Sequence, residues 1–374
     1  MIFSAFLSKY TNSKSYSPTP IQMQALLILF ITLSCSFSSA VFAQFTAEDF
    51  FEMGQESFDS GEFKLAIDHY TNAYEKNSQL VEAVINIGVA YERLENYTQA
   101  LAFYETSIAI SPNYPIVYNN MGWIHFLSSD YDKAIKSYDQ AIVLDSKFAL
   151  AYNNRGLANR AVENLKEALD DYRKAIVLDP YYADAYDNMG DIRFELEQYS
   201  DALLLYSQAI EANPNFISAY NNRGLTSMAT ERYWDALKDF DKAIELDPTI
   251  ALLYINKGNA HKENKQYIKA TSAYTKALEL ESNNVTAYLY RGYSKLQAEQ
   301  ILSAYEDIHK ALKLAPNNAT VYYYLGLLEA SSNRYAEALK NYEQALNLNR
   351  YLKGVSEAQE IAKKALEQAQ KTTD

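Results

Sequence analysis

From residue 47 onward, apolar side chains return at three- and four-residue spacing in pairs of short blocks, and each pair recurs after 34 residues. That spacing puts the apolar positions on one face of a helix. Each unit therefore predicts two antiparallel helices, helix A over its positions 2–14 and helix B over 18–31. With the recurring glycine set as position 8, nine units follow one another without a spacer: 47–80, 81–114, 115–148, 149–182, 183–216, 217–250, 251–284, 285–318 and 319–352. A period of this length is the mark of a helical repeat array.

The residues that recur explain why two helices can close on each other. Position 8 is glycine and position 20 alanine in all nine units; position 27 is alanine except at Ser107. Position 24 is tyrosine except at Phe240 and Ile308. Small residues belong where helix axes come closest, and the large residue fills the space left around them. Proline at position 32 (Pro112, Pro180, Pro214, Pro248, Pro316) cannot continue helix B; Ser78, Ser146, Ser282 and Arg350 stand there in other units.

This run of aromatic, Gly, Ala, aromatic, Ala and Pro resembles the tetratricopeptide repeat family over 47–352. The resemblance implies an all-α, right-handed superhelical α-solenoid of nine helix-turn-helix units whose A helices line a concave, peptide-accepting groove. Residues 353–374 are expected to form a capping helix and tail, with Ala358, Ile361, Ala362, Ala365, Leu366 and Ala369 on its apolar face, because a solenoid must cover its last unit.

The first 43 residues have another character. Lys9 and Lys14 precede a nine-residue apolar run, Ala25–Leu33, and the small residues around Val41 and Ala43 suit cleavage before Gln44. An apolar core of that length fits a signal peptide better than a spanning helix, which needs about 20 residues. Export to the periplasm or beyond the cell is thus expected, with an uncleaved anchor over 25–43, or a lipid on Cys35, as alternatives. Cleavage would remove two lysines and no acid, taking the formal charge from −13 to −15. So acidic a chain without a basic face is a poor ligand for nucleic acid. Cys35 is its only cysteine, which excludes a disulfide framework and Cys-ligated zinc from the repeats.

Candidate binding residues come from helix A. In the family the resemblance points to, positions 2, 5, 6, 9, 12 and 13 face the groove. Position 6 holds Asn86, Asn120, Asn154, Asn188, Asn222 and Asn256 in succession, then Tyr290 and Tyr324. Side-chain amides both donate and accept, so such a row can grip the backbone of an extended chain whatever its sequence. It is similar to the asparagine ladder of O-linked N-acetylglucosamine transferases. Bonding between neighbouring A helices is the structural alternative. Trp123, Phe126, Leu127, Leu150, Leu157, Leu225 and Met228 are candidate anchors, or packing between units. Asp184, Asp187, Asp191 and Glu195 share one face of a helix, either a solvated acidic surface or a docking stripe for a basic segment. No basic residue occupies positions 2, 5 or 6, so the carboxylate clamp by which some family members hold acidic C-termini is missing. Arg155, Arg223, Lys257 and Arg291, at position 7, are expected to lay their stems on neighbouring helices with the charge in water.

Nothing in the chain assembles a catalytic constellation. His69, His125, His261 and His309 lie in different units and cannot converge on a metal, and twenty of the 33 tyrosines sit at positions 4, 17 and 24, where the fold needs an aromatic. The expected function is a non-enzymatic, cofactor-free scaffold for protein or peptide segments. A glycan or cell-wall binder, and a targeting subunit for a separate enzyme chain, are the alternatives.

Overall fold

The computed structural model describes residues 45–371, which hold nineteen α-helices and no strand. The chain divides into two compact units, the first ending at Ser146 and the second starting at Lys147. In the first lie α1 (Ala47–Asp59), α2 (Phe63–Lys76), α3 (Val81–Arg93), α4 (Tyr97–Ile110), α5 (Pro115–Leu127) and α6 (Tyr131–Leu144). The second holds α7 (Ala149–Ala161), α8 (Leu165–Leu178), α9 (Ala183–Glu195), α10 (Tyr199–Ala212), α11 (Ile217–Ala229), α12 (Tyr233–Leu246) and α13 (Ala251–Glu263). It continues through α14 (Tyr267–Leu280), α15 (Val285–Gln297), α16 (Ile301–Leu314), α17 (Ala319–Ser331), α18 (Tyr335–Leu348) and α19 (Val355–Lys371). Residues 1–44, on which the expected leader falls, lie outside the described residues.

Every repeat supplies one A and one B helix, at positions 1–13 and 17–30. Both begin one residue earlier than apolar spacing alone predicts. Within each unit a helix packs on the helix before it and the helix after it, and in the second unit successive A helices also touch. That is the arrangement of an α-solenoid of tandem helix-turn-helix repeats.

The recurring small residues are explained by the aromatic at position 24. A Cβ placed on Gly88 would lie 2.5 Å from the Tyr104 ring, inside any van der Waals contact. The alanines at positions 20 and 27 have no solvent exposure where the B helix meets its neighbours, and Ser107, which replaces one of them, returns its hydroxyl to the Tyr104 carbonyl at 2.7 Å. Between the helices, position 15 turns left-handed, with φ from 56° to 62° at Glu95, Ser129, Glu163, Glu197, Glu231, Lys265, Glu299 and Asn333, and Gly61 in the first repeat. Helix B then ends on an extended residue at position 31, a conformation compatible with a following proline and kept where serine follows instead; Asp179 before Pro180 has φ −133° and ψ 98°, and Asp145 before Ser146 φ −138° and ψ 98°.

Position 7 overturns its expected role. Arg155, Arg223 and Arg291 do not put their charge in water. Each forks onto a buried carboxylate 16 residues ahead, Asp171, Asp239 and Asp307, with Nε–O distances of 3.0, 2.9 and 2.8 Å and Nη2–O distances of 2.6 Å. Planar guanidinium and carboxylate make two parallel bonds, the strong form of this pair. Arg223 and Arg291 also donate to Ser207 and Thr275 of the preceding B helix. Lys257 likewise finds a carboxylate, Asp241, at 2.6 Å.

The last helix, α19, packs on α18 through Val355 and Ala362, with Ala358 beside them. Ile361 is 62% exposed and Ala369 is exposed too, so neither belongs to the covering face. The helix begins at Val355, after Gly354 with φ 82°, and this start sets a face running Val355, Ala358, Ala362.

Candidate functional site

The asparagine row occupies the A helices of both units, and its amides are held by the protein itself. In the first unit the rungs reach the position-24 tyrosine of the repeat before: Asn86 bonds Tyr70, and Asn120 Nδ2 donates to the Tyr104 hydroxyl at 3.3 Å. Tyr104 in turn donates to Glu92 at 2.9 Å. In the second unit the rungs reach position 5 of the repeat before. Asn188 Nδ2 donates to Asn153 Oδ1 at 3.0 Å, Asn222 to Asp187 at 3.2 Å and Asn256 to Asn221 at 2.8 Å. Asn153 and Asn221 in turn donate Nδ2–H to Oδ1 of Asn154 and Asn222 beside them. The structural role foreseen for the row is therefore present. Capacity is nevertheless left over: Oδ1 of Asn188 and of Asn256 accepts no bond among the described residues.

The four acids of α9 do not form one solvated face. Asp184 is exposed, but Asp187 is only 8% exposed and sits against Asn222 and Asp191. Burial first, then the Asp191 charge, pushes the Asp187 carboxyl up to about 7, against a smaller opposing pull from the Asn222 bond. Asp191 and Glu195 are both taken by Arg160 of α7, and Tyr206 donates to Asp191 at 2.9 Å. The spacing that put these acids on one face was legible; the arginine one repeat back was the unread half.

The candidate anchors separate by environment. Leu157 packs against the core around Tyr172 and Ile192, and Leu225 and Met228 against that around Phe240. Trp123 and Phe126 stack on each other at 5.4 Å, nearly parallel, and Leu127 and Leu150 are exposed.

One concavity among the A helices of the second unit escaped the sequence reading. A cavity of about 590 Å³ opens where α13, α15 and α17 run side by side, walled by Tyr267, Tyr293, Tyr323, Tyr324, Leu296 and Leu327, with Lys262, Glu263 and Lys265 at its edge. Lys262 lies 4.7 Å above the Tyr290 ring and pairs with Glu263 at 2.8 Å. Tyr293, Tyr323 and Tyr324 stand outside positions 4, 17 and 24, which was the available signal: the fold does not ask for them.

Models of the tetratricopeptide repeat family match residues 79–147, 149–182, 190–231, 217–250, 240–271 and 291–351. The chain is a tetratricopeptide repeat protein. No curated protein sequence matches it. Among solved structures, this tetratricopeptide repeat protein is similar to the APC/C hetero-tetramer Cut9–Hcn1, at 14% identity over 84% of this chain and 76% of that one, with a TM-score of 0.53. A tetratricopeptide repeat protein from Parabacteroides merdae shares 18% identity over 66% of this chain and 98% of its own, TM-score 0.51. The C-terminal part of a repeat protein from Cytophaga hutchinsonii shares 18% over 64% and 98%, also at 0.51. These likenesses show the fold. Repeats and fold together are those of a protein-interaction scaffold. Among the described residues no group of His, Cys, Asp and Glu could hold a metal ion, and no helix is long and apolar enough to cross a membrane.

Proposed function

We propose that this tetratricopeptide repeat protein is a non-enzymatic scaffold that holds extended protein or peptide segments against the A-helix face of its second unit, and so brings partners together. The observation behind this reading is the asparagine row: Asn188, Asn222 and Asn256 are each fixed by a bond to the neighbouring A helix, while Asn188 and Asn256 keep a free carbonyl oxygen. A group already held in place loses little freedom on binding, which lowers the cost that association must overcome. Amide bonds worth about 1 kcal/mol each do not alone offset an association cost of roughly 4–15 kcal/mol, so side-chain anchors supply the rest. Asp184, exposed and without an ionic partner among the described residues, favours segments that bear Lys or Arg. Export through residues 1–43, to the periplasm or beyond the cell, belongs to the same reading and rests on the sequence.

A library of unstructured peptides tests it. Binding sequences are expected to emerge, enriched in Lys or Arg, and to weaken about thirtyfold against an Asn188→Ala, Asn256→Ala variant whose circular dichroism is unchanged; two lost bonds of about 1 kcal/mol give that order. Asp184→Lys is expected to erase the basic preference. Failure of any peptide to bind, or equal affinity for the double variant, would overturn the reading.

A further inference from the structure

We propose that the tyrosine-walled cavity between α13, α15 and α17 is a binding site for a proline-rich segment in the extended polyproline II conformation. The inference rests on the peptide-binding reading above and names, at a different place on the same face, the chemistry of one ligand.

The walls decide the shape of the guest. Tyr293 and Tyr324 meet at 5.5 Å with their rings 70° apart, Tyr323 and Tyr324 at 5.5 Å and 53°, and Tyr290 backs Tyr324 at 6.2 Å and 69°. Rings set edge to face leave corners between them, and a corner suits a compact saturated ring lodged between aromatic faces. A pyranose stacks best on one open aromatic face, whereas Tyr290, Tyr293, Tyr323 and Tyr324 lean on one another. The volume of about 590 Å³ lies in the range of ligand sites, roughly 300–1,000 Å³.

Hydrogen bonding narrows the choice further. None of the hydroxyls of Tyr267, Tyr293, Tyr323 and Tyr324 has a partner among the described residues, and none is sealed from solvent. Lys265 at the edge is exposed and has no carboxylate beside it, while the one carboxylate there, Glu263, is engaged by Lys262. The cavity thus offers four unengaged phenol hydroxyls and an ammonium as donors, and Gln297 and Ser331, which also line it, add an amide and a hydroxyl. A proline-rich strand is the complementary chain: it lacks backbone N–H groups, and its carbonyls have no internal partners. Its conformation is preformed, so little order has to be imposed when it docks on aromatic rings.

Three of the walls, Tyr293, Tyr323 and Tyr324, fall at groove positions 9, 5 and 6, and Lys262 at position 12. The cavity therefore lies on the face where the asparagine row would continue, had Tyr290 and Tyr324 not replaced it.

Fluorescence anisotropy of a labelled decaproline peptide, titrated with the full chain, tests the assignment. Decaproline is expected to bind at least tenfold more tightly than a Gly-Ser peptide of equal length. A Tyr293→Phe, Tyr324→Phe variant keeps both rings and removes two donors, and is expected to weaken binding about tenfold, at roughly 0.5–1.5 kcal/mol per bond; Tyr293→Ala, which opens a corner, should weaken it at least as much. Chitohexaose should not compete. Equal affinity for the two peptides, equal affinity of wild type and the Phe variant, or displacement by chitohexaose would each overturn the assignment. Should decaproline fail while library peptides still bind through Asn188 and Asn256, the scaffold reading stands and this site falls alone.

Discussion

Asp187 keeps a proton in a pH range where an exposed carboxyl has lost it. Its folded value of about 7 lies above the unfolded value near 3.9. Between these the native chain binds a proton that the unfolded chain does not, so stability falls as pH rises through that window. The contribution is whole below about pH 4 and gone above about pH 7, and three pKa units correspond to at most about 4 kcal/mol. In melts from pH 4 to 8, Asp187→Asn is expected to flatten that decline relative to wild type. Parallel curves would show that Asp187 titrates as an ordinary carboxyl. A second residue-scale test concerns the arginine forks. Asp239→Ala leaves Arg223 without its carboxylate and is expected to cost about 3 kcal/mol, the low end for a broken buried pair, because a quarter of the Arg223 side chain still reaches solvent. Combining Arg223→Met with Asp239→Leu is expected to recover most of this, as a urea-denaturation cycle would show. The forks were half legible. Arginine at position 7 and aspartate at position 23 occur together in the same three repeats, yet a face-by-face reading of helix A has no term for a partner on helix B.

At the scale of elements, the repeat alphabet reads out cleanly because each letter answers a local steric demand. Glycine at position 8 and the ring at position 24 are two halves of one contact, so they recur together and reveal both helices and their register. The expected boundaries missed by one residue because apolar spacing says where a helix is buried, not where its first turn begins. The contact also makes a prediction. Gly88→Ala pushes a methyl onto the Tyr104 ring at 2.5 Å, and at Gly292 a methyl would meet the buried Ile308 at 2.8 Å and the Ala304 carbonyl oxygen at 3.3 Å. The helix-propensity gain of about 1 kcal/mol from Gly to Ala applies to both, and overpacking of about 1–3 kcal/mol opposes it at both. Denaturant midpoints are expected to fall for Gly88→Ala and for Gly292→Ala, more for Gly88→Ala, where the approach is closer.

For the molecule as a whole, the sequence spelled out the fold more fully than the site. A solenoid is written in contacts between adjacent helices, and those repeat. A binding face is written in departures from the repeat, and each departure has its own neighbours: Arg160 under Asp191 and Glu195, Asn222 on Asp187, three helices around Tyr324. The asparagine row was visible as a column of letters, but its bonds to position 5 link residues 35 apart, and only coordinates pair them.

The two tryptophans fall one to each compact unit, Trp123 stacked on Phe126 in α5 and Trp234 62% exposed at the start of α12. Each unit therefore has its own fluorophore, partly buried in the first and exposed in the second. Trp234 already emits from water and has little red shift left to give, so the shift in emission on denaturation should track the first unit almost alone, while the far-ultraviolet helical signal tracks both. A Trp123→Phe variant is expected to lose most of that shift and keep the helical transition. An unlabelled cuvette thus follows the first half of the chain apart from the whole.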